Sequence, residues 1–420
     1  MVNVDKVRLV VTIIGIGMFL SLLYYFILNN YWGVGYPYKT FLSLSEDNFM
    51  DFYNVNYFID DFSPYSSNKN VSYPPFALLI AYPFSLFFRY TKYGSPVARE
   101  NFFAVSSYLI LFLFFSWFLL NVIYKTIKSN DKWKDSIYTF ILFFTYPVFF
   151  LFDRGNYLML TFVFLYLFIY YYYTYPKWSL ICLSAAIAMK IYPVFFLLLF
   201  LVNKRWKDIG NVFFWTGVFS IIPLLLFRGS FFDNLVNFLT HLFSFSGGYD
   251  TEIANMAWNL SLLGVIKIPI MLFNQGEVPY SVGIPYLLLG ILLVSMVIYL
   301  LMKETRLLRK ITYLLAFQLL IMPLTIDYAL VFLYIPLLLL LKTEKLEKED
   351  YFTMVIIALL FIPKTYVVLF YEEIAVVTIQ NIINPILLLL LIVFPFCRQM
   401  KDYWCKRNKN VSETIFWNNI

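Results

Sequence analysis

Residues 179–202 read SLICLSAAIAMKIYPVFFLLLFLV, with Lys190 and Pro193 near the middle of an otherwise apolar run. A hydrocarbon core about 30 Å thick needs roughly 20 apolar residues per helical crossing, so the run is long enough to span. As one continuous helix it would hold the Lys190 ammonium at mid-bilayer, at a cost of about 2.5–3.5 kcal/mol on insertion scales. Broken at Lys190 and Pro193, it becomes two short helices, and the ammonium can face an aqueous cavity. The broken reading is preferred, and it fixes the topology of everything after it. Halves of about a dozen residues reach only about 18 Å, so they must end inside protein, not in lipid.

The rest of the chain is of the same kind. Of 420 residues, 61% are hydrophobic, 22% aromatic and only 14% charged, against about 25% charged in soluble domains. This predicts an all-α polytopic membrane protein, a single domain over residues 1–420 with about twelve crossings. One histidine (His241) and three cysteines (Cys182, Cys397, Cys405) cannot build a Cys/His zinc site, a redox centre or a disulfide framework. The 15 glycines are scattered and no GxxxxGK[ST] or GxGxxG occurs, which argues against a phosphate-cradling loop. A net charge of +7 reads as cytoplasmic loop bias and not as a nucleic-acid footprint.

Lys6 and Arg8 precede an apolar run to about Leu28, an uncleaved first span with its N-terminus in the cytoplasm. Residues 29–101 then form the first external loop. Within it, 76–88 is short and interrupted by Pro83, which suits a membrane-associated helix better than a crossing. Further spans are expected at about 102–124, 136–151, 157–173, 210–227, 283–302, 311–325, 328–341, 351–370 and 382–397, followed by a cytoplasmic tail, 398–420. A second topology, in which 76–88 crosses and 179–202 is one span, has nearly the same charge bias. The position of Lys190 separates the two.

On the preferred topology the polar residues that interrupt apolar runs fall on the external side. In the first loop Asp47 and Asp51 are four apart, within a stretch whose apolar residues follow helical spacing, so both carboxyls share a helix face. Acidic residues at an ordinary helix start would look the same. Asp153-Arg154-Gly155-Asn156 joins two apolar runs, and Arg154 can grip a phosphate bidentately or snorkel to headgroups. Lys190 is a functional candidate or half of an internal ion pair with Asp153 or Asp327. Asn259 and Ser261 close the external stretch that holds His241, which reads as an interfacial residue. Asp327, in Pro323-Leu324-Thr325-Ile326-Asp327-Tyr328, is a carboxyl that needs a partner if buried.

Taken together these stretches resemble the C-type glycosyltransferases that use polyprenyl-phosphate sugars, specifically glycosyltransferase family 87, which includes alpha-mannosyltransferases. The carrying residues are Asp51-Phe52-Tyr53, Tyr73-Pro74-Pro75, Arg154-Gly155-Asn156, Lys190-Ile191-Tyr192-Pro193 with Lys204-Arg205-Trp206, Asn259-Leu260-Ser261 and Pro323 to Tyr328. Order and spacing match from about residue 1 to 345. The family's late motif often has tryptophan before the acid and histidine after it, where this chain has Ile326 and Tyr328.

The resemblance implies a C-type bundle in the plasma membrane, both termini cytoplasmic, its active site on the external face. It implies transfer of a hexose, mannose first, from a polyprenyl-phosphate donor to a glycan or glycolipid acceptor. An acid of the first external loop, here Asp51, is the implied catalytic base. Donor and phosphate contacts are expected from Arg154, Lys190, Asn156 and Tyr192, and acceptor or sugar contacts from Asp47, Tyr73, Asn259, Ser261, Asp327 and Tyr328. No cofactor is expected. No Asp-x-Asp pair lies near Asp51 and two cations are at hand for the phosphate, which favours catalysis without a metal, although a divalent ion is compatible with the chemistry. A polysaccharide polymerase or ligase and a lipid or solute transporter are the alternatives; the transporter predicts an internal duplication, and none is seen.

Overall fold

The computed structural model describes residues 4–32, 48–66, 69–249, 259–273, 280–364, 366–371 and 374–418. In chain order its helices are α1 (Val4–Trp32), α2 (Met50–Ile59), α3 (Pro75–Ser85), α4 (Tyr90–Ala98), α5 (Phe102–Ile127), α6 (Lys132–Phe143), α7 (Tyr146–Arg154), α8 (Leu158–Tyr170) and α9 (Pro176–Met189). They continue with α10 (Leu197–Val202), α11 (Trp206–Leu226), α12 (Phe231–Tyr249), α13 (Leu262–Phe273), α14 (Gly283–Lys303), α15 (Leu307–Ile321), α16 (Tyr334–Lys342) and α17 (Lys348–Leu360). An antiparallel hairpin, β1 (Val367–Tyr371) and β2 (Ile374–Thr378), precedes the last helix, α18 (Gln380–Asn418). The hairpin pairs Val367 with Thr378 and Tyr371 with Ile374.

Among the described residues five helices are long and apolar enough to cross a membrane: Asp5–Ile27, Phe102–Ile127, Trp206–Leu226, Gly283–Lys303 and Gln380–Trp404. A sixth span results if α6 and α7, bent by 57° to each other, count as one. Several of the remaining expected crossings fall on apolar helices of 10–17 residues, such as α8 and α9, and a further one of that length, α13, lies where no span was expected. The chain is thus a predominantly helical membrane protein, not wholly α.

The run 179–202 is broken. Helix α9 ends at Met189, Lys190 is extended (φ −150°, ψ 137°), and a three-ten turn from Tyr192 to Phe196 leads into α10. Helix α3 has 11 residues, about 16 Å at 1.5 Å per residue and too short to cross. Two expected spans are corrected. Residues 136–151 bend between α6 and α7, where Pro147 starts a new helix. Residues 351–370 leave the helix at Leu360 and enter the hairpin, whose valine-rich sequence favours extended backbone. The expected tail is a continuation of α18 as far as Asn418.

Breaks in helices free backbone groups that lipid cannot satisfy. Buried tyrosines serve several of them. Tyr334 donates to the Leu142 carbonyl (2.5 Å) and meets Thr145 (2.6 Å) at the α6–α7 bend, and Tyr108 donates to the Phe152 carbonyl (2.5 Å) in the last turn of α7. Elsewhere the C-terminal end of α14 (Glu304, 3.5 Å from Arg309), the starts of α15 and α17 and the middle of α18 are tied by an ion-pair network. Arg309 reaches Glu347 (2.8 Å), Asp350 (2.9 Å) and Glu349 (3.0 Å), Arg306 reaches Asp350 (2.7 Å), and Arg398 reaches Glu349 (3.0 Å).

Candidate active site

Helix α2 carries Asp51 in its first turn and buries Phe52, Tyr53, Val55, Asn56 and Ile59. The helix forms as its apolar spacing predicts, but that face lies against protein, packed on α3, α4 and α7. Its start is anchored three ways. The Phe49 N–H donates to the Asp153 carbonyl (2.6 Å), the Phe49 ring stacks on Tyr108 (4.2 Å between centroids), and Arg99 Nε donates to the Asn48 carbonyl (3.2 Å). Phe49 itself sits in the left-handed region, φ 59° and ψ 19°. Burial pushes the Tyr53 hydroxyl up to about 12 against the opposing Arg99 charge, so this phenol stays neutral beside Asp51.

Arg154-Gly155-Asn156 is the C-terminal end of α7 and the approach to α8. Gly155 adopts φ 64°, and a Cβ on it would lie 2.9 Å from Phe52 Cβ. Only glycine allows both the left-handed turn and the close approach of α2. The turn then aims its two neighbours at one carboxylate. Arg154 Nη2 donates to Asp51 Oδ1 (2.9 Å) and Asn156 Nδ2 donates to Asp51 Oδ2 (2.7 Å). Asn156 Oδ1 accepts from the Leu158 N–H (2.9 Å), which fixes the orientation of the amide. Its Nδ2 also donates to Tyr328 Oη (3.0 Å). Each Asp51 oxygen has used one lone pair on these donors and keeps another for a substrate hydroxyl.

Lys190 approaches from the broken α9–α10 segment. Its ammonium lies 4.8 Å from the centroid of the Tyr73 ring, and the Asp51 charge acts on Lys190, Tyr192 and Tyr328. Among the described residues Lys190 makes no ion pair with Asp153 or Asp327. The structure therefore brings together Asp51, Arg154, Asn156, Lys190, Tyr192, Tyr73 and Tyr328. Arg154 spends a donor on Asp51, so it orients the carboxylate as well as adding positive charge.

Asn259, Ser261 and Asp327 make their side-chain hydrogen bonds with other partners. Asn259 Oδ1 accepts from Ser261 N (2.9 Å) and Thr325 N (3.1 Å), its Nδ2 donates to the Pro323 carbonyl (3.0 Å), and Ser261 Oγ donates to the same carbonyl (2.8 Å). Both side chains staple two irregular segments together, 259–261 and 323–325. Asp327 is fully buried and accepts a hydrogen bond from Gln380, whose amide also reaches Tyr146 Oη (3.2 Å). Asp47 lies outside the described residues. Gln380 and Lys364 were not anticipated as part of this polar cluster, although a lysine inside the expected span 351–370 was the same kind of signal as Lys190. Among the described residues no group of three or more His, Cys, Asp or Glu side chains could hold a metal ion.

No curated protein and no solved structure matches the chain. The sequence pattern of glycosyltransferase family 87 matches residues 71–325, well over half of its length. That range holds Tyr73, Arg154, Asn156, Lys190 and Tyr192, while Asp51 precedes it and Tyr328 follows it. With this pattern threaded through apolar helices and converging on one carboxylate, the chain belongs to glycosyltransferase family 87 and is a membrane glycosyltransferase.

Proposed function

We propose that this enzyme moves a hexose, mannose on the family resemblance, from a polyprenyl-phosphate carrier to a hydroxyl of a lipid-linked or cell-surface glycan. The reaction takes place on the external face of the plasma membrane, in a C-type fold with both termini cytoplasmic. The observation that carries the reading is the Asp51 carboxylate, gripped by Arg154 and Asn156 with the Lys190 ammonium in its field.

Asp51 takes the proton of the acceptor hydroxyl as that oxygen bonds to the anomeric carbon. The bond from that carbon to the phosphate oxygen breaks, its electron pair leaves with the polyprenyl phosphate, and attack from the opposite side inverts the centre. Arg154 and Asn156 hold the carboxylate so that its remaining lone pairs face the acceptor. Lys190 offsets the charge that grows on the leaving phosphate, and in a water-poor complex such contacts are strong. Tyr192 is a further donor contact, and Tyr73, Tyr328 and Asp47 are acceptor or sugar contacts.

Asp51→Asn keeps the shape and removes the basicity. Transfer from a polyprenyl-phosphate sugar in membranes should fall by about 10²–10⁴-fold, the usual worth of a general base, with donor binding retained. Near-normal transfer by that variant would move the base elsewhere, and an anomerically retained product would rule out the single displacement.

A further inference from the structure

Gln380 is the first residue of α18 and is fully buried. Its Nε2 donates to Asp327 Oδ2 and to Tyr146 Oη (3.2 Å). Its Oε1 accepts from the Lys364 N–H (2.9 Å), and its own N–H donates to the Lys364 carbonyl (3.1 Å). Asp327 immediately precedes Tyr328, whose hydroxyl accepts from Asn156, and Asn156 donates to Asp51. Tyr146 opens α7, whose last residue, Arg154, donates to the other oxygen of Asp51. One amide therefore touches both elements that end on the partners of Asp51. Phe150 of α7 packs on Tyr328 (5.7 Å between centroids), so the two elements also meet directly.

We propose that Gln380 is a positioning residue for glycosyl transfer. It sets the spacing between α7 and the three-ten helix at Asp327–Leu333, and through them the geometry of Arg154 and Asn156 on Asp51. The chemistry explains the amide. The Asp327 carboxylate needs a donor in a buried place, and only an amide supplies two N–H groups on one side and an acceptor for the Lys364 backbone on the other. Gln380 and Asp51 lie on opposite sides of the 71–325 family segment, so the clamp recruits the C-terminal hairpin and α18 to the site. The inference rests on Asp51 as the base.

The test uses full-length enzyme in membranes, with transfer from a polyprenyl-phosphate sugar normalised to folded protein. Gln380→Ala is expected to lower kcat by about 10–100-fold, the effect of misplacing a reacting group by a fraction of an ångström. Donor KM should stay within about a factor of two, because Lys190 and Tyr73 are untouched. Gln380→Glu is nearly isosteric and carries the test if the alanine variant does not accumulate. There two buried carboxyls face each other; they hold one shared proton through neutral pH and lose it as pH rises. The Lys364 charge acts on Asp327, and Tyr146, beside Gln380, feels Asp153; none of these supplies the missing donor. The ratio of its activity to wild type should fall by about tenfold from about pH 6.5 to about pH 9.5, as the shared proton is lost.

Two results would overturn the clamp. One is a flat activity ratio across that pH range with loss of folded protein alone, which is what a packing role gives. The other is full additivity of Gln380→Ala with Tyr328→Phe, because residues that act through one chain of bonds are not additive. Should Asp51→Asn retain activity, the base falls, while the pH ratio and the double variant still score the clamp.

Discussion

Gly155→Ala puts the arrangement at Asp51 under the most direct strain. The added methyl would meet Phe52 Cβ at 2.9 Å, Tyr108 Cε2 at 3.2 Å and Phe49 Cα at 3.3 Å. Two of those atoms are fixed to the backbone of the segment that opens α2, so no side-chain rotation relieves the contact. Restoring an ordinary 3.4 Å separation from Phe52 moves α2 by about half an ångström. A left-handed conformation costs an alanine about 1–2 kcal/mol, and overpacking adds about 1–3 kcal/mol. The sum is about 2–5 kcal/mol of stability, with Asp51 carried off its 2.9 and 2.7 Å contacts to the residues that flank Gly155. Thermal unfolding in detergent should shift down by several degrees. Turnover per folded molecule should drop by about 10²-fold, the usual penalty for misplacing a reacting group by that order of distance. Gly210→Ala in α11 is the control, because nothing lies within 4 Å of its added methyl; it should be neutral or gain about 0.5–1 kcal/mol. Wild-type melting and turnover in Gly155→Ala would refute the close-approach argument outright.

Other expectations follow from single contacts. Lys190→Gln should raise the donor KM and lower kcat, because the ammonium meets the phosphate in the complex and more strongly as it departs; an effect on acceptor KM alone would contradict the assignment. Glu347 is held below the ordinary glutamate range, first by its hydrogen bond from Arg309 and then by that residue's charge. A depressed carboxyl contributes stability that is present above its unfolded value of 4.5 and lost as pH falls through its folded value. The melting temperatures of wild type and Glu347→Gln should therefore differ above about pH 4.5 and converge below it, and a gap that widened in acid would reverse the sign.

Legibility varied with the range of the interactions. The break at Lys190 shows in sequence because a charge and a proline interrupt an apolar run, and each acts locally. Helix α2 shows in its apolar spacing, and Arg154-Gly155-Asn156 in its polarity between two apolar runs. What failed to show depends on distant partners. Nothing near Asn259 reveals that its amide is consumed by the backbone of Pro323 and Thr325, more than 60 residues away. Asp327 and Tyr328 are adjacent yet face different partners, Gln380 and Asn156, which a three-ten turn allows and a sequence motif hides. The hairpin was concealed by composition, because Val367–Tyr371 and Ile374–Thr378 are as apolar as a span. The glutamates at 372 and 373 and the run of β-branched residues were the available signals.

Phe49 has one more implication. A non-glycine residue at φ 59° is uphill by about 1–2 kcal/mol when alone. It is held there by the Asp153 carbonyl of α7 and the Tyr108 ring of α5. The peptide leading to Asp51 therefore has no reason to adopt its final shape until both helices are docked. The position of Asp51 is thus set by the docking of α5 and α7, and a change that loosens either helix disturbs the base without touching it.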